Sequence, residues 1–414
     1  MRSMTTVPRV ALFTDSYYEA NGVARTAGAL EAFAAERDRP LLIVHGGGAD
    51  QLIESGSVTR LELARWRSTS FALEHDLRFD IALWRHTRRV AQVLRWFRPD
   101  VLHYTGPSDV GQMGALLGHR LTIPIVGSWH TNLHEYASRR LLNRLSAADE
   151  DTRLRVRMLV ERHALAITSL FYKIPRVLLA PNDEWKVILE SRTRKPTFVM
   201  TRGVDTAAFA PSRRTRTDTA INIGYVGRLS VEKNVRALAT VRDALAANGL
   251  SDARFTVVGD GTERAWLQAR LPGAEFCGVL HGERLAAAYA NFDLFVFPSE
   301  TETVGNVVLE AMASGVPVVA MARGGPKFIA ASPASAVLVH SERELAEATL
   351  RLVRDPDRRH AMGAAARQAA LARAWAPVFD TLYRAYGVAI TASNAAGRAA
   401  ERSFDAVSEE HPAA

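Results

Sequence analysis

The chain has 414 residues, and its 52 Lys and Arg against 44 Asp and Glu give a formal net charge of +8. Hydrophobic residues make up 48% and charged residues 23%, which excludes a disordered chain, a fibre and a small disulfide-stapled fold. The length predicts two or three domains. The modest positive charge permits acidic partners such as nucleotide phosphates or anionic lipid, whereas no motif for nucleic-acid binding accompanies it.

The cysteine content and the length of the apolar runs indicate the cellular compartment in which the protein works. Cys277 is the single cysteine of the sequence, so no disulfide within the chain and no cysteine-rich metal site can form. This favours a reducing compartment. The apolar run at residues 10–13 is too short for a signal peptide, and no run of about 18 apolar residues occurs. We therefore expect a cytoplasmic protein, with peripheral attachment to the inner face of a membrane left open.

Short apolar runs alternate with longer amphipathic patterns in the first half of the chain. Helical patterns cover residues 80–98 and 108–119. Runs of this length that are apolar throughout are typical of strands covered on both faces, so they predict a parallel sheet between layers of helices. The predicted buried strands are residues 10–14, 41–45, 101–104, 125–128 and 177–180.

The alternation of apolar runs with amphipathic patterns weakens at residues 193–219, which are rich in Thr, Arg, Pro and Ser. It resumes after this segment. This indicates two α/β domains in tandem with a junction near residues 195–220. An amphipathic helix is predicted at residues 375–390, and residues 391–414 contain few large apolar side chains. The second set of predicted buried strands is residues 221–226, 254–258, 294–297, 316–320 and 336–340.

Residues that follow the strands are the candidates for chemistry, because open parallel sheets bind ligands at the carboxyl ends of their strands. Asn21-Gly22 precedes a helix start, where bare amides can approach an anion, although for the pair taken alone a tight loop without a ligand is the favoured explanation. After the strand at 221–226, Gly227 allows a turn and the cations Arg228 and Lys233 can bind phosphate oxygens. Two solvated surface cations are the alternative.

Further polar residues follow two other strands. Glu302 falls in a loop after residues 294–297, and Glu310 falls inside a helix that is expected to begin near Gly305. Helix-start amides at 304–307 suit a phosphate or sugar oxygen, while a merely capped helix with a solvated Glu310 is the alternative. Burying a carboxylate in this apolar helix is unfavourable, so its presence indicates a partner or a function. His130 follows the strand at 125–128, where it can bind a hydroxyl, act as a base or serve a structural role.

Six segments in chain order resemble the motifs of the retaining GT-B glycosyltransferases of glycosyltransferase family 4. The resemblance covers about residues 8–390, and it is closest to glycolipid-type members such as GDP-mannose-dependent α-mannosyltransferases and sulfoquinovosyl transferases. Arg202-Gly203-Val204-Asp205 and the stretch from Phe276 to Tyr289 support that placement. The six segments are Asn21-Gly22-Val23, His130-Thr131-Asn132-Leu133, Gly227-Arg228-Leu229 with Lys233, Val257-Val258-Gly259-Asp260-Gly261, Glu302 with Glu310 as E-x7-E, and Gly324-Gly325-Pro326.

The resemblance implies the GT-B fold, in which two Rossmann-like, doubly wound parallel-sheet domains face each other across a cleft. Residues 1–200 would be the acceptor-binding domain, and residues 201–374 the nucleotide-sugar-binding domain. The helix at 375–390 would cross back onto the first domain. Residues 391–414 are expected to be a disordered tail.

The resemblance also implies a role for each matching residue. Arg228 and Lys233 would neutralise the departing diphosphate, Glu302 would position the hydroxyls of the transferred sugar, and His130 would lie near the sugar and the acceptor. These four are the implied catalytic residues. Glu310 would hold the ribose hydroxyls. The remaining donor contacts would be made through the backbone of Gly22, Gly227, Leu280, Gly305, Asn306 and Val307.

The implied activity is retaining transfer of a hexose from a nucleotide-diphosphate sugar to a lipid or glycan acceptor. GDP-mannose is the favoured donor, with UDP-glucose or another UDP-sugar next. Fixed cations can stabilise the leaving diphosphate, and no Asp-x-Asp pair follows a strand, so we expect neither metal nor cofactor. Val304 and Lys327 depart from the family pattern, and residues 279–282 lack an acidic partner for guanine.

Two alternatives remain open from the residues. A non-catalytic nucleotide-sugar sensor or interaction protein could share the scaffold, although the presence of both cations and both glutamates favours an enzyme. Residues 80–98 and 139–144 combine arginines with large apolar side chains, as in Trp84 and Trp96. Either stretch could lie on anionic lipid, or its apolar side chains could pack on the sheet with the arginines solvated.

Overall fold

The computed structural model describes residues 7–14, 16–19, 21–66, 68–74, 77–129, 150–300 and 305–409. The chain divides into two compact units. Unit 1 comprises Met1–Thr201 together with Val378–Ala414, and unit 2 comprises Arg202–Pro377.

Unit 1 is built on a parallel sheet whose central strands are buried along their whole length, as the apolar runs predict. Among the described residues the order across the sheet is β10-β9-β8-β7-β1-β2-β4-β3, with β3 antiparallel to β4, and β5 pairs with β6 in a separate hairpin. The strands are β1 Val10–Thr14, β2 Leu41–Gly47, β3 Gln51–Ser55, β4 Val58–Ala64, β5 Ser70–Glu74, β6 Leu77–Asp80, β7 Val101–Tyr104, β8 Ile125–Ser128, β9 Val177–Ala180 and β10 Thr197–Val199.

Helices follow these strands and cover the sheet. Each of three helix starts carries a polar side chain that caps the first amides: Asn21, Ser108 and Asn182. A 3₁₀ turn at Ile81–His86 runs directly into α2. The helices are α1 Gly22–Glu36, α2 Thr87–Phe97, α3 Asp109–Arg120, α4 Glu150–Phe171 and α5 Asp183–Thr193.

Unit 2 contains a six-stranded parallel sheet, counted over its described residues, in the order β13-β12-β11-β14-β15-β16. Strands β11, β12, β14 and β15 are mostly buried, and the two edge strands β13 and β16 are less so. The strands are β11 Asn222–Val226, β12 Arg254–Val258, β13 Glu275–Gly278, β14 Leu294–Phe297, β15 Val318–Met321 and β16 Ala336–Val339. The helices are α6 Ala237–Ala247, α7 Arg264–Arg270, α8 Gly282–Ala290, α9 Asn306–Ala313, α10 Pro326–Ile329, α11 Glu342–Arg354 and α12 Pro356–Leu371.

The prediction of two α/β domains with parallel sheets is confirmed, and every predicted strand is found within two residues of its expected ends. Six strands were not predicted. They are the hairpins β3–β4 and β5–β6 and the short strands β10 and β13.

The last helix, α13 Trp375–Glu409, belongs to unit 1 from Val378 onward. The buried hydroxyl of Tyr386 lies 2.8 Å from Nδ1 of His103, whose Nε2 lies 2.5 Å from Oγ of Ser128. Burial lowers the pKa of His103 to about 3. The helix continues through residues 391–409, where the sequence predicts a tail without regular structure, because Ala, Arg and Glu favour a helix even without a core to pack on.

The described helices were compared with the length and apolarity that a membrane span requires. None of them is both long enough and apolar enough to cross a bilayer.

Candidate functional site

The strand order of unit 2 reverses direction between β11 and β14. Chain connections run outward from β11 through β12 to β13 on one side, and through β14, β15 and β16 on the other. The loops that follow β11 and β14 therefore leave the sheet at a topological switch point, which is where open α/β sheets bind ligands. Arg228 and Lys233 lie in the first loop, and Gly305 ends the second.

Three neighbouring loops of this sheet edge are joined by backbone hydrogen bonds. The amide of Gly227 donates to the carbonyl of Val258 at 3.0 Å, and the amide of Leu229 donates to that of Asp260 at 2.9 Å. The amide of Gly259 donates to the carbonyl of Gly278 at 2.8 Å. These bonds hold the loop after β11 against the turn after β12, so its backbone is fixed without any ligand.

Glycine is required at Gly259 because the two loops approach so closely. Its φ is +133°, and a Cβ at this position would lie 1.9 Å from the carbonyl oxygen of Gly227. Gly261 repeats the pattern, since a Cβ there would lie 2.2 Å from the carbonyl oxygen of Leu229. A side chain at either position would push the Gly227–Leu229 backbone out of place.

The loop after β11 carries Arg228 on this fixed backbone. The hydroxyl of Tyr225 donates to the carbonyl of Arg228 at 3.0 Å, while 71% of the arginine side chain is exposed. Its Nη1 lies 3.7 Å from Oε1 of Glu232. An exposed ion pair of this length contributes little, so a diphosphate could replace the glutamate as partner of the guanidinium.

Lys233 ends the 3₁₀ turn Val231–Lys233, five positions beyond Arg228 on the same loop. Asn234 follows with φ +48°, and α6 begins at Ala237. The loop thus holds two cationic side chains between the end of a buried strand and the start of a helix. This arrangement provides positive charge at the switch point of the sheet.

Glu310 is a buried carboxylate in the middle of α9, with 5% of the residue exposed. Its Oε2 accepts a hydrogen bond of 2.9 Å from the hydroxyl of Tyr289, which lies on α8 and is fully buried. The alternative of a solvated Glu310 is therefore excluded. Tyr289 orients the carboxylate, and sequence reasoning gave it no role because 21 positions separate it from Glu310.

The start of α9 brings three further candidates to the same edge. Gly305 precedes the helix with φ +83°, a conformation that glycine adopts readily, and the first helical residues are Asn306 and Val307. A Cβ on Gly305 would lie 3.3 Å from Pro326, so this helix start lies against the first residue of α10. Its leading amides have no partner within the helix and carry partial positive charge.

Two residues flank these loops. Leu280 follows β13 and is partly buried against the core of unit 2. Ser299 follows β14 and is fully buried, and no described residue is a hydrogen-bond partner of its Oγ. Sequence reasoning did not single out Ser299, although a serine two positions after a buried strand is a signal of the kind used for the other candidates.

The equivalent helix start in unit 1 contains Gly22, the first residue of α1. Oδ1 of Asn21 accepts hydrogen bonds from the amides of Val23 and Ala24, both at 3.0 Å. Nδ2 of Asn21 donates to Oγ of Ser16 at 3.1 Å. The asparagine therefore satisfies two amides of the first turn, and an anion at this site would have to share the helix start with it.

The structure thus brings several predicted residues together at one edge of the unit 2 sheet. They are Gly227, Arg228, Lys233, Leu280, Gly305, Asn306 and Val307, with Glu310 one turn further along α9. His130, Glu302 and Val304 lie outside the described residues. Within the described ranges, no three His, Cys, Asp or Glu side chains form a group that could hold a metal ion.

Comparisons with known proteins identify the family and the fold. The profile of the family described as "Glycosyltransferase Family 4" matches residues 20–208, and that of "Glycosyl transferases group 1" matches residues 220–355. A solved structure of a sucrose-phosphate synthase from Thermosynechococcus elongatus superposes with a TM-score of 0.62 at 18% identity. The superposition covers 96% of this chain and 100% of that protein, so the two share a fold.

Two curated relatives give the more specific likeness. A GDP-mannose-dependent α-mannosyltransferase of Mycolicibacterium smegmatis is 36% identical over 308 residues, which are 72% of this chain and 76% of the relative. A sulfoquinovosyl transferase of Arabidopsis thaliana is 31% identical over 274 residues, covering 62% of this chain and 49% of the relative. The chain therefore belongs to the group 1 transferases of glycosyltransferase family 4, which are nucleotide-sugar-dependent enzymes, and it has the GT-B fold.

Proposed function

We propose that this enzyme transfers mannose from GDP-mannose to a lipid or glycan acceptor, with retention of the anomeric configuration and without a metal ion. The observation that carries the proposal is the loop after β11, which holds Arg228 and Lys233 on a fixed backbone at the switch point of unit 2. The identity to GDP-mannose-dependent mannosyltransferases supports the choice of donor.

The chemistry required of the loop follows from the reaction. When the bond between the anomeric carbon and the phosphate oxygen breaks, an additional negative charge develops on the diphosphate. Arg228 offers two parallel N–H donors to phosphate oxygens, and Lys233 adds a compact positive charge. Because the hydrogen bonds to Val258 and Asp260 position the loop in advance, little reorganisation is needed as the charge appears.

The buried carboxylate of Glu310 suits the ribose of the nucleotide. Two neighbouring hydroxyls can donate to its oxygens, and such hydrogen bonds to a charged acceptor are strong. The hydrogen bond from Tyr289 holds the carboxylate in one orientation before the nucleotide arrives. We assign to this pair the binding of the nucleotide and not the breaking of the glycosidic bond.

Retention would follow from attack on the same face of the sugar that the diphosphate leaves. In this mechanism the departing phosphate takes the proton of the acceptor hydroxyl, so no protein nucleophile is needed. Glu302 would position sugar hydroxyls, and His130 would lie beside the sugar and the acceptor, as the resemblance to the family implies.

The proposal is tested by offering the full-length protein GDP-mannose, GDP-glucose, UDP-glucose and ADP-glucose and measuring both thermal stabilisation and release of free sugar. We expect GDP-mannose to give the largest stabilisation and measurable hydrolysis, unchanged by a chelator. NMR of the first product should show the α-anomer. Preference for a UDP-sugar would refute the donor, a β-linked product would refute retention, and loss of activity with the chelator would refute metal independence.

A further inference from the structure

The end of β13 borders open space at the carboxyl edge of the unit 2 sheet. A Cβ added to Gly278, the last residue of β13, would lie 3.9 Å from Nη1 of Arg264 and, leaving aside the adjoining residues, within 4 Å of no other described atom. A Cβ on Gly282, where α8 begins, would meet no described atom within 4 Å outside its own helix. Between the two glycines, Val279 is 61% exposed. Bare backbone beside an exposed apolar side chain lets a flat aromatic ring approach closely.

The position of this space along the sheet edge fits the base of a nucleotide. β12 lies between β11 and β13, and neighbouring strands are about 4.8 Å apart. The loop that carries Arg228 and the end of β13 are therefore separated by about 10 Å, a distance of the order that a nucleoside covers between its diphosphate and its base. Glu310, the proposed ribose ligand, is hydrogen-bonded to Tyr289 of α8, the helix that follows β13. With the diphosphate on the β11 loop, the base falls at the end of β13.

Two charged side chains border the space from the turn after β12. Nη1 of Arg264, the first residue of α7, donates to Oδ2 of Asp260 at 2.9 Å. The amide of Gly259 donates to the carbonyl of Gly278 at 2.8 Å, which holds this turn against the end of β13. The side chain of Asp260 is 54% exposed and that of Arg264 is 32% exposed. A ligand that enters from solvent can therefore reach both groups.

The ion pair uses only part of the hydrogen-bonding capacity of each group. A carboxylate can accept about four hydrogen bonds, and Asp260 accepts them from two described donors, which are Nη1 of Arg264 and the amide of Gly261 at 2.7 Å. A guanidinium has several further N–H donors. Because an exposed ion pair contributes little to stability, folding alone gives little reason for this arrangement.

We propose that Asp260 and Arg264 recognise the guanine of the donor, an assignment that rests on the GDP donor of the proposed function. The carboxylate of Asp260 accepts from the N1–H and the 2-amino group of guanine, and the guanidinium of Arg264 donates to O6. Adenine would place a lone pair at N1 against the carboxylate and an amino group against the guanidinium. Uracil carries no amino group. The pair is thus complementary to guanine and to neither of these bases.

The loop after β13 does not itself supply an acidic group for guanine, since residues 279–282 contain no Asp or Glu. Glu283 follows directly, but its Oε1 lies 3.6 Å from Nη1 of Arg213 and its side chain is 89% exposed. Asp260 comes from a different strand end, and the sheet brings it beside the loop. The missing acidic partner is therefore supplied by β12 and not by β13.

The test compares the binding of GDP, IDP, ADP and UDP to the full chain by calorimetric titration. IDP is the critical probe, because hypoxanthine differs from guanine only by the absence of the 2-amino group. Asp260→Asn removes the charged acceptor and keeps an oxygen for the amide of Gly261. Arg264→Gln removes the donor to O6. The unfolding temperature checks that each variant is folded.

Two further variants serve as controls. Asp243→Asn is matched to Asp260→Asn, because Asp243 on α6 is 60% exposed and its Oδ1 lies 2.8 Å from Nη2 of Arg242. Glu283→Gln examines the acidic residue that is nearest in sequence to the β13 loop. Neither change should alter the affinity for any of the four nucleotides.

We expect the wild type to bind GDP about tenfold more tightly than IDP, since the 2-amino group donates to a charged acceptor. Asp260→Asn should weaken GDP binding about tenfold or more and reduce the preference for GDP over IDP below about threefold. Arg264→Gln should weaken GDP and IDP by a similar factor, about five- to tenfold, because both bases carry O6. Binding of UDP should be the same in all variants.

The outcomes separate this assignment from the choice of donor. Equal binding of GDP and IDP by the wild type, or an unchanged preference for GDP over IDP in Asp260→Asn, would overturn the assignment and leave the GDP donor in place. An equal loss in Asp243→Asn, or a loss of the preference in Glu283→Gln alone, would overturn it in the same way. Tighter binding of UDP or ADP than of GDP by the wild type would refute the donor and the assignment together.

Discussion

Two helix starts occupy equivalent positions in the two sheets, after β1 in unit 1 and after β11 in unit 2. In unit 1 the Asn21 side chain accepts hydrogen bonds from two amides of α1. In unit 2 the corresponding loop has a backbone fixed by Gly259 and Gly261 and presents Arg228 to solvent. The same topology thus yields one helix start stabilised by its own side chain and one loop that presents a largely exposed arginine with a long ion pair to Glu232.

Position at the start of a helix after a central strand is therefore not sufficient for an anion site. A ligand at the α1 start competes with a hydrogen-bond acceptor that is already in place, whereas a ligand at Arg228 of the β11 loop would replace a weak, exposed ion pair to Glu232. We therefore expect most of the binding energy for the donor diphosphate to come from unit 2. Substitutions in both units test this asymmetry.

The largest effect is expected from Lys233→Ala. Removing a fixed cation from the developing charge should lower kcat roughly 100- to 1,000-fold, with little change in the unfolding temperature. Steady-state kinetics with GDP-mannose measures it. Arg254→Ala is the control, because Arg254 begins β12 at the opposite edge of the same sheet and pairs with Asp218 at 3.5 Å. Turnover near that of wild type in Lys233→Ala would remove the loop from the reaction.

The next effect is expected from Gly259→Ala. Because the new Cβ would lie 1.9 Å from the carbonyl oxygen of Gly227, the variant should lose about 3 kcal/mol of unfolding free energy. Nucleotide affinity should fall with it, since the loop must move. Chemical denaturation and calorimetric titration measure the two quantities. Gly28→Ala is the control, as no atom lies within 4 Å of its added Cβ, and full stability of Gly259→Ala would contradict the described loop contact.

A smaller effect is expected from Glu310→Gln. Loss of the charged acceptor should weaken nucleotide binding about tenfold or more while kcat at saturation changes less. Tyr289→Phe should also weaken nucleotide binding, but by a smaller factor, because it removes only the hydrogen bond that orients the carboxylate. Calorimetry with GDP distinguishes this from an acceptor role. An effect confined to acceptor affinity would contradict the assignment to ribose.

The smallest effect is expected from Asn21→Ala. Loss of the cap should cost about 1 kcal/mol of unfolding free energy. If unit 1 contributes little to diphosphate binding, the affinity for GDP should change by less than about threefold, whereas Asn21→Asp should keep the cap. A loss of affinity as large as that in Lys233→Ala would show that the two helix starts contribute equally.

The sequence predicted the strands whose side chains are buried on both faces of the sheet. Strands such as β1 and β14 are apolar throughout because helices cover both faces, and their bounds match the apolar runs. The β3–β4 hairpin was missed because β3 is an exposed edge strand with polar side chains. Its turn glycine, Gly56 with φ +59°, was the available signal.

The candidate site was predictable where its residues follow a strand directly. Gly227, Arg228 and Lys233 follow β11 in sequence, so the loop could be inferred from position alone. Two contacts could not be inferred from the sequence, because each joins separate elements. They are the hydrogen bond between Tyr289 and Glu310 and the close approach of Gly259 to Gly227. The cap by Asn21 is local, but nothing in Asn-Gly distinguishes a capping side chain from a bare turn.

If the site is assigned correctly, the donor diphosphate lies on the loop after β11 of unit 2. A crystal structure of the full chain with GDP decides this. We expect phosphate oxygens at about 3 Å from Nη1 or Nη2 of Arg228 and from Nζ of Lys233, with the Glu232 contact to Arg228 broken. Diphosphate bound elsewhere, out of contact with both cations, would contradict this assignment.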